Sequence, residues 1–374
     1  MSEKVLYISP FYDGTGYANA GIATALGLDA AGAQVRCKTV KMCPQVIKPD
    51  PRIIELESND IGYPTHVIQN WLPITFFYVK GAKNIGYFFC ETTHFKPSSW
   101  QYYLNLMDEV WVSCKENYEA CKASGVTKPI KIVPFPYIKG FVDNREHFRQ
   151  YGLERFGNLR KNNRYLFYTI GDYSERKNIK ELIRTYFRTF NKSDNVALIV
   201  KTYAEGKTSD ESRKLVLEDI KGIKQEMRKY SVDAYPPVNL ITDYLSVDDI
   251  YALHGSCDCY ISLEKGAAWN IPAFDAMLFG NYCILNGWGG QNQFIRNNVN
   301  GRLLDYTMVP VNGMATCPYD GLYTCHEKWA EPFGFDAEIS MEKAYRERIK
   351  NVDNKLELTK FSPEEAGKVL RNAL

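Results

Sequence analysis

The chain has 374 residues, room for about two domains at the usual 100 to 200 residues each. Hydrophobic residues make up 45% and charged residues 24%, with 26 glycines and 17 prolines, an ordinary globular usage that excludes disordered, collagen-like and coiled-coil chains. Lys plus Arg number 46 against 44 Asp plus Glu, a formal charge of +2, so a uniformly basic nucleic-acid coat is excluded while a local patch is not.

The opening Met-Ser-Glu-Lys leads into Val5-Leu-Tyr-Ile-Ser-Pro, too short an apolar stretch for a signal peptide and suited to a first buried strand. Short apolar runs then alternate with helical stretches, the pattern of parallel sheets covered on both faces. The spacing predicts strands over Val5 to Pro10, Gln34 to Val40, His66 to Trp71, Asn84 to Cys90, Glu109 to Ser113 and Ile130 to Pro134. The longest apolar run, Trp71 to Val79, is broken by Pro73 and bounded by Lys80, so no membrane span is expected.

Residues 139–164 carry Lys139, Arg145, Arg149, Arg155, Arg160, Lys161 and Arg164 against Asp143, Glu146 and Glu154. With Gly140, Gly152 and Gly157 and few strand formers, this stretch reads as a basic interdomain connector. The alternation then restarts, with strands predicted over Tyr165 to Ile170, Val196 to Thr202, Val238 to Thr242, Cys259 to Leu263 and Tyr282 to Asn286. Between the first two, Asn178 and Glu181 resemble a capping pair, and Ile179, Leu182, Ile183, Tyr186, Phe187 and Phe190 fall on one helical face. The expected division is a βα domain at 1–140, a connector at 141–163, a second βα domain at 164–345 and a closing helix in 346–374.

Three segments carry chemistry. The first strand runs into Gly14-Thr15-Gly16-Tyr17-Ala18 and an Ala-rich helix, a turn where backbone N–H groups can approach a phosphate. Ala18-Asn19-Ala20 replaces the third glycine of a dinucleotide fingerprint and no acid clearly ends the second strand, which disfavours a nicotinamide cofactor; a tight turn without ligand is the plain alternative. Second, the strand ending at Gly171 delivers Arg176 and Lys177 to a helix start, and Lys201 ends the next strand, together suited to a diphosphate. A solvated surface is the alternative for Arg176 or Lys177 alone, and the third cation outweighs it. Third, Ser262 to Gly280 reads as a strand end, a small-residue loop and a helix entered near Pro272, with Asp275 expected in its first turn, where a carboxylate serves either a ligand hydroxyl or the helix dipole.

These segments, with Ile85-Gly-Tyr-Phe-Phe-Cys-Glu91-Thr92, Leu106 to Ser113, Gly287-Trp-Gly-Gly290 and Trp329-Ala-Glu-Pro332, resemble the retaining glycosyltransferases of family four over roughly residues 1–345. The resemblance implies an α/β GT-B fold, two Rossmann-like domains with parallel sheets facing across a cleft, and a last helix crossing back to the first domain. It implies that Gly14, Thr15 and Gly16 face the donor, that Arg176, Lys177 and Lys201 hold its diphosphate, and that Tyr244 and Leu245 border the base. Asn270, Ile271 and Asp275 belong to the donor-binding loop, Asp275 in place of the second glutamate of the family's paired acids. Glu91 and His94 fall on the acceptor side. The first paired glutamate is here Ala267, and Glu264, three residues earlier, is the candidate substitute.

The implied activity is transfer of a hexosyl or pentosyl group from a nucleoside-diphosphate sugar, UDP-sugar favoured, to a hydroxyl acceptor with retention. The nucleotide sugar is a co-substrate, and no cofactor is expected. No Asp-x-Asp occurs in the chain, which disfavours the metal-dependent alternative, and Cys317, Cys325 and His326 lack zinc spacing. The acceptor is a glycan or small molecule, or a hydroxymethylated DNA base as in phage-type DNA-modifying glycosyltransferases, a reading motivated by the basic connector and by 26 tyrosines and other aromatics. A catalytically silent scaffold binding a glycan or partner is the alternative that Ala267 raises. Ten cysteines without a repeating frame point to reduced thiols and a cytoplasmic location, the host cytoplasm for a viral protein.

Overall fold

A computed structural model describes residues 3–43, 47–229, 234–314, 317 and 321–374. The chain forms two compact units, one of Met1–Asp143, Cys317–Glu327 and Lys355–Leu374, the other of Asn144–Thr316 and Lys328–Asn354. Residues 317–327 thus join the first unit although the chain places them between parts of the second.

The first unit holds β1 (Lys4–Ser9), β2 (Gln34–Thr39), β3 (His66–Asn70), β4 (Lys83–Tyr87), β5 (Glu109–Val112) and β6 (Ile130–Ile132), all parallel in the order β2-β1-β3-β4-β5-β6. The second holds β7 (Tyr165–Asp172), β8 (Val196–Tyr203), β9 (Val238–Ile241), β10 (Cys259–Ser262), β11 (Tyr282–Asn286) and β12 (Gly301–Leu304), parallel in the order β12-β11-β10-β7-β8-β9. Counted from β7, that is the 3-2-1-4-5-6 order of a Rossmann sheet. All eleven expected strands are present. β12 and the antiparallel hairpin of β13 (Tyr306–Pro310) and β14 (Lys328–Pro332) were not expected, because β13 is largely exposed and carries no alternating apolar pattern.

The sheet of the second unit is covered as its apolar periodicity requires. Ile179, Leu182, Ile183, Tyr186 and Phe187 of the Ile179–Thr189 helix are buried with Val216 and Ile220 of the Ser209–Met227 helix and Ala337 and Met341 of the Gly334–Arg346 helix. The expected capping pair is not made. Asn178 sits at the N-cap with a left-handed φ of 56°, and its amide donates to Leu263 O and Glu331 Oε1 instead, while Glu181 pairs with Arg184 and Arg188.

The division between the units falls inside the expected basic connector, at Asp143/Asn144. The stretch is helical over Lys139–Asp143, Arg145–Phe156 and Gly157–Asn163, and most of its cations are committed. Arg145 donates to Leu278 O, Arg149 to Phe279 O, Arg155 to Asp249, and Arg160 to Asp258 and Ser256 O. These arginines fasten the Arg145–Phe156 helix and the turn after it to the second unit and present no free basic surface there.

The chain ends in two helices, Lys355–Lys360 and Pro363–Ala373, rather than one. The second packs on the Gly16–Ala30 helix of the first unit, so closely that a Cβ on Gly367 would lie 2.1 Å from Gly27 O. Among the described residues no helix is long and apolar enough to cross a membrane. The Gly367→Ala variant is expected to lose about 1–3 kcal/mol, the usual cost of overpacking, seen as a lower midpoint in thermal unfolding followed by circular dichroism.

Candidate functional site

In the second sheet β7 lies between β8 and β10, so the chain leaves β7 to one side and later returns on the other. The loops following β7 and β10 therefore part from adjacent strand ends, the place where open parallel sheets take ligands. Both loops are long, Tyr173 to Asn178 and Leu263 to Asn270, and they are sewn together. The Lys265 N–H donates to Arg176 O at 2.8 Å, the Ala330 N–H of β14 donates to Lys265 O at 2.8 Å, and Arg176 Nη1 donates to Gly266 O at 2.9 Å. Asn286 at the end of β11 adds bonds from its amide to Glu264 O and Ala330 O.

The charges of this site are mostly paired. Lys177 Nζ sits 2.5 Å from Glu264 Oε2, with side chains 15% and 1% exposed. Its methylenes cover Gly171, where a Cβ would meet Lys177 Cδ at 3.2 Å. Lys265 is bound by Glu175 and Glu331 and lies over the Trp329 ring at 5.5 Å. Burial alone would lower the Lys265 pKa, and these two carboxylates raise it above the ordinary value. For Asp172, burial works to raise the carboxyl, yet Arg176, Lys177 and the Ser174 hydroxyl hold it below its usual range.

Lys201 differs. It stands in register with Ile170, one strand over from the loop that carries Arg176 and Lys177, and is only 9% exposed. Burial lowers its pKa against the opposing pull of Asp243, and among the described residues no carboxylate lies within 4 Å of its ammonium. Of the three cations expected to hold a diphosphate, it is the one without a counter-ion.

Asn270 caps the Ile271–Leu278 helix with a left-handed φ of 68°, its Oδ1 accepting from the Ala273 N–H. Its Nδ2 is buried without an acceptor, as is Glu264 Oε1 without a donor. Ile271 is half-buried in the first helical position. Asp275 is in the fifth position, not the expected first turn, so the helix dipole does not account for it. Burial pushes its carboxyl up to about 8.

Glu264, the candidate substitute for the absent glutamate, lies almost wholly buried against Lys177. Ala267 itself is buried, its carbonyl accepting from the Gly290 N–H, and a Cβ on Gly290 would lie 2.0 Å from Ala268 O. On the far side of β8, Tyr244 is 64% exposed and Leu245 buried, just before the Ser246 cap of the Val247–Ser256 helix.

The first unit places Gly14, Thr15 and Gly16 at the equivalent switch, between β1 and its two neighbours. Thr15 caps the Gly16–Ala30 helix by accepting from the Ala18 N–H at 3.2 Å, and buried Asp13 accepts from the Met42 and Cys43 N–H groups. Glu91 and His94 are both engaged with the 321–327 segment. Tyr323 donates to Glu91 Oε2, and His94 Nε2 donates to His326 O while Nδ1 accepts from the Lys96 N–H, which selects the Nε2-protonated tautomer. Sequence reasoning missed the Lys265 and Glu331 pairing, for which only the unexplained acid of β14 was a signal.

Removing one member of a buried ion pair strands the other. The Lys177→Met variant is expected to lose about 3–5 kcal/mol of stability in urea unfolding, and the Lys177→Met/Glu264→Gln double variant to recover most of it. Asp275 binds its proton more tightly folded than unfolded, so its contribution to stability is lost as pH rises from its ordinary value of 3.8 through about 8. Asp275→Asn should therefore show a flatter stability profile across that interval, measured by unfolding at a series of pH values.

No family model matches the chain, and no curated protein matches it in sequence. Solved structures do share its fold. That of Anabaena Alr3699/HepE in complex with UDP and glucose aligns with a TM-score of 0.58 at 12% identity over 99% of this chain and 94% of that one. Sucrose-phosphate synthase from Thermosynechococcus elongatus aligns at 0.57 and 12% over 100% and 94%, and a glycosyltransferase from Rickettsia africae at 0.55 and 12% over 100% and 92%. The likeness shows the fold class that the sequence implied, α/β GT-B, with a six-stranded parallel Rossmann-like sheet in each unit.

Proposed function

We propose that this protein moves a hexosyl or pentosyl group from a nucleoside-diphosphate sugar, UDP-sugar by preference, to a hydroxyl acceptor. The observation that carries the reading is the uncompensated Lys201 beside the sewn loops of Arg176 and Lys177 at the switch point of a Rossmann-ordered sheet. A buried ammonium with no counter-ion favours an anionic ligand, and a diphosphate supplies one. The unused Asn270 amide and the half-buried Asp275 carboxyl offer a donor and a hydrogen-bonding partner for sugar or ribose hydroxyls. That solved proteins of this fold bind UDP and UDP-glucose supports the choice of nucleotide.

Departure of the nucleoside diphosphate builds negative charge on its bridging oxygen. Cations fixed before the reaction stabilise that charge without reorganising, which is where the rate enhancement arises. In this scheme a metal is not required, the acceptor enters on the face the leaving group vacates, and a phosphate oxygen takes its proton. No protein base is then obligatory, which fits Glu91 and His94 holding the 321–327 segment.

Ala267 favours a second reading, a silent scaffold that binds donor or glycan without turnover. The test is isothermal titration with UDP and UDP-sugars, followed by donor hydrolysis and transfer with and without EDTA. Lys201→Ala is expected to weaken UDP binding about 10- to 100-fold, the worth of one charge-assisted hydrogen bond, and EDTA to leave turnover unchanged. Binding without turnover selects the scaffold, and no binding of any nucleotide sugar removes both readings.

A further inference from the structure

The connection from β2 to the next helix is cationic throughout. Residues 34–49 contain Arg36, Lys38, Lys41 and Lys48 and no acid. All four are exposed, and among the described residues none has a carboxylate within 4 Å. This contrasts with Arg145, Arg149, Arg155 and Arg160 of the 139–164 stretch, which are tied to carbonyls and carboxylates of their own unit.

Their placement follows from the strand register. Val35 and Cys37 pair with Val5 and Tyr7 on the face covered by the Gly16–Ala30 and Pro51–Glu57 helices, whose Ile22, Leu28, Ile53 and Leu56 share that core. Arg36 and Lys38 pair with Leu6 and Ile8 on the opposite face, where the small apolar cluster of Ile8, Val67 and Ala82 draws on no helix. With both connecting helices on one side, the outer edge of the other side stands open. Lys41 follows the strand end, and Lys48 comes next to Ile47. The Met42 and Cys43 N–H groups are held by Asp13 and the Ile47 N–H by Tyr12 O, so Met42, Cys43 and Ile47 are each bonded to a residue of the stretch that leads into Gly14. Asp13 is thereby occupied, as is Glu57, which accepts from the Tyr12 hydroxyl.

We infer that this set of cations, Arg36, Lys38, Lys41 and Lys48, docks a nucleic-acid backbone and leads it to the Gly14 loop. Arg36 and Lys38, two residues apart on an extended strand, are spaced about 6.6 Å, close to the rise of two phosphates of one strand along a duplex axis, about 3.4 Å each. A lipid surface would demand apolar side chains inserted among the cations, whereas Val35 and Cys37 are buried and Val40 packs against the Ile8 cluster. The docking stands apart from glycosyl transfer. Only its corollary, that the acceptor hydroxyl is carried by nucleic acid, rests on the function proposed above.

The probe is a fluorescent 30-base-pair DNA duplex in anisotropy titrations from 50 to 200 mM salt, with no nucleotide sugar present. Wild-type protein is expected to bind with a log–log salt slope near about −3.6, four phosphates at 0.9 each. Arg36→Gln/Lys38→Gln/Lys41→Gln/Lys48→Gln should lose at least about tenfold in affinity at 50 mM salt and most of that slope. Lys214→Gln/Lys221→Gln, on an exposed face of the second unit, should bind as wild type. UDP affinity and melting temperature of the fourfold variant check its folding, with the Arg36/Lys38 and Lys41/Lys48 pairs tested separately if it does not fold. Absent duplex binding at 50 mM salt, or equal binding by the variants, overturns the inference. So does capture by phosphatidylserine vesicles that the fourfold variant loses while duplex is not bound. UDP-sugar turnover without duplex binding sinks this inference alone, and duplex binding without nucleotide binding sinks only the transferase reading.

Discussion

A single buried pair, the Lys177 ammonium on the Glu264 carboxylate, governs the second unit's switch point. It joins the loop after β7 to the loop after β10 at their most buried level, and the backbone bonds through Lys265 and the Arg176 contact to Gly266 O are built around it. Taking both charges out of water is costly, and the cost is offset only because the geometry is close and neighbouring amides hold the loops in place. The pair also fixes the meaning of the other charges. With Lys177 and Lys265 neutralised and Arg176 leaning on Asp172 and Gly266 O, Lys201 remains the site's uncompensated cation.

The strands were legible because a parallel sheet buried on both faces demands continuous apolar runs, and β7, β8 and β11 are such runs. The helix after β7 was legible for the same reason, through the spacing of Ile179, Leu182, Tyr186 and Phe187. What failed to show depends on partners far away in sequence. Asn178 has the composition of a cap, yet its amide reaches Leu263 and Glu331, which no local pattern encodes. Asp275 was misplaced because apolar periodicity locates a helix but not the turn at which it begins.

Charge was the least legible property. The 139–164 stretch and the 34–49 stretch are both cationic, and only the fold tells them apart. In the first, carbonyls at the end of the Ile271–Leu278 helix and the acids Asp249 and Asp258 absorb the arginines. In the second, strand alternation turns Arg36 and Lys38 outward, away from the Gly16–Ala30 and Pro51–Glu57 helices and beside a small apolar cluster that draws on no helix. Glu264 has the same character: a lone acid in a small-residue loop by sequence, a counter-ion once folded.

The β13–β14 hairpin acts as a splint. Because the Ala330 N–H holds Lys265 O while the Lys265 N–H holds Arg176 O, a strand outside the main sheet is linked by two backbone bonds to the cation loop, and the Lys265 side chain is clamped between Glu175 and Glu331 above the Trp329 indole. Such bracing restrains motion of the Arg176 main chain, so dipoles and cations at the switch point are held near a fixed orientation. A site that does not need to rearrange when charge appears spends little of its field on its own relaxation.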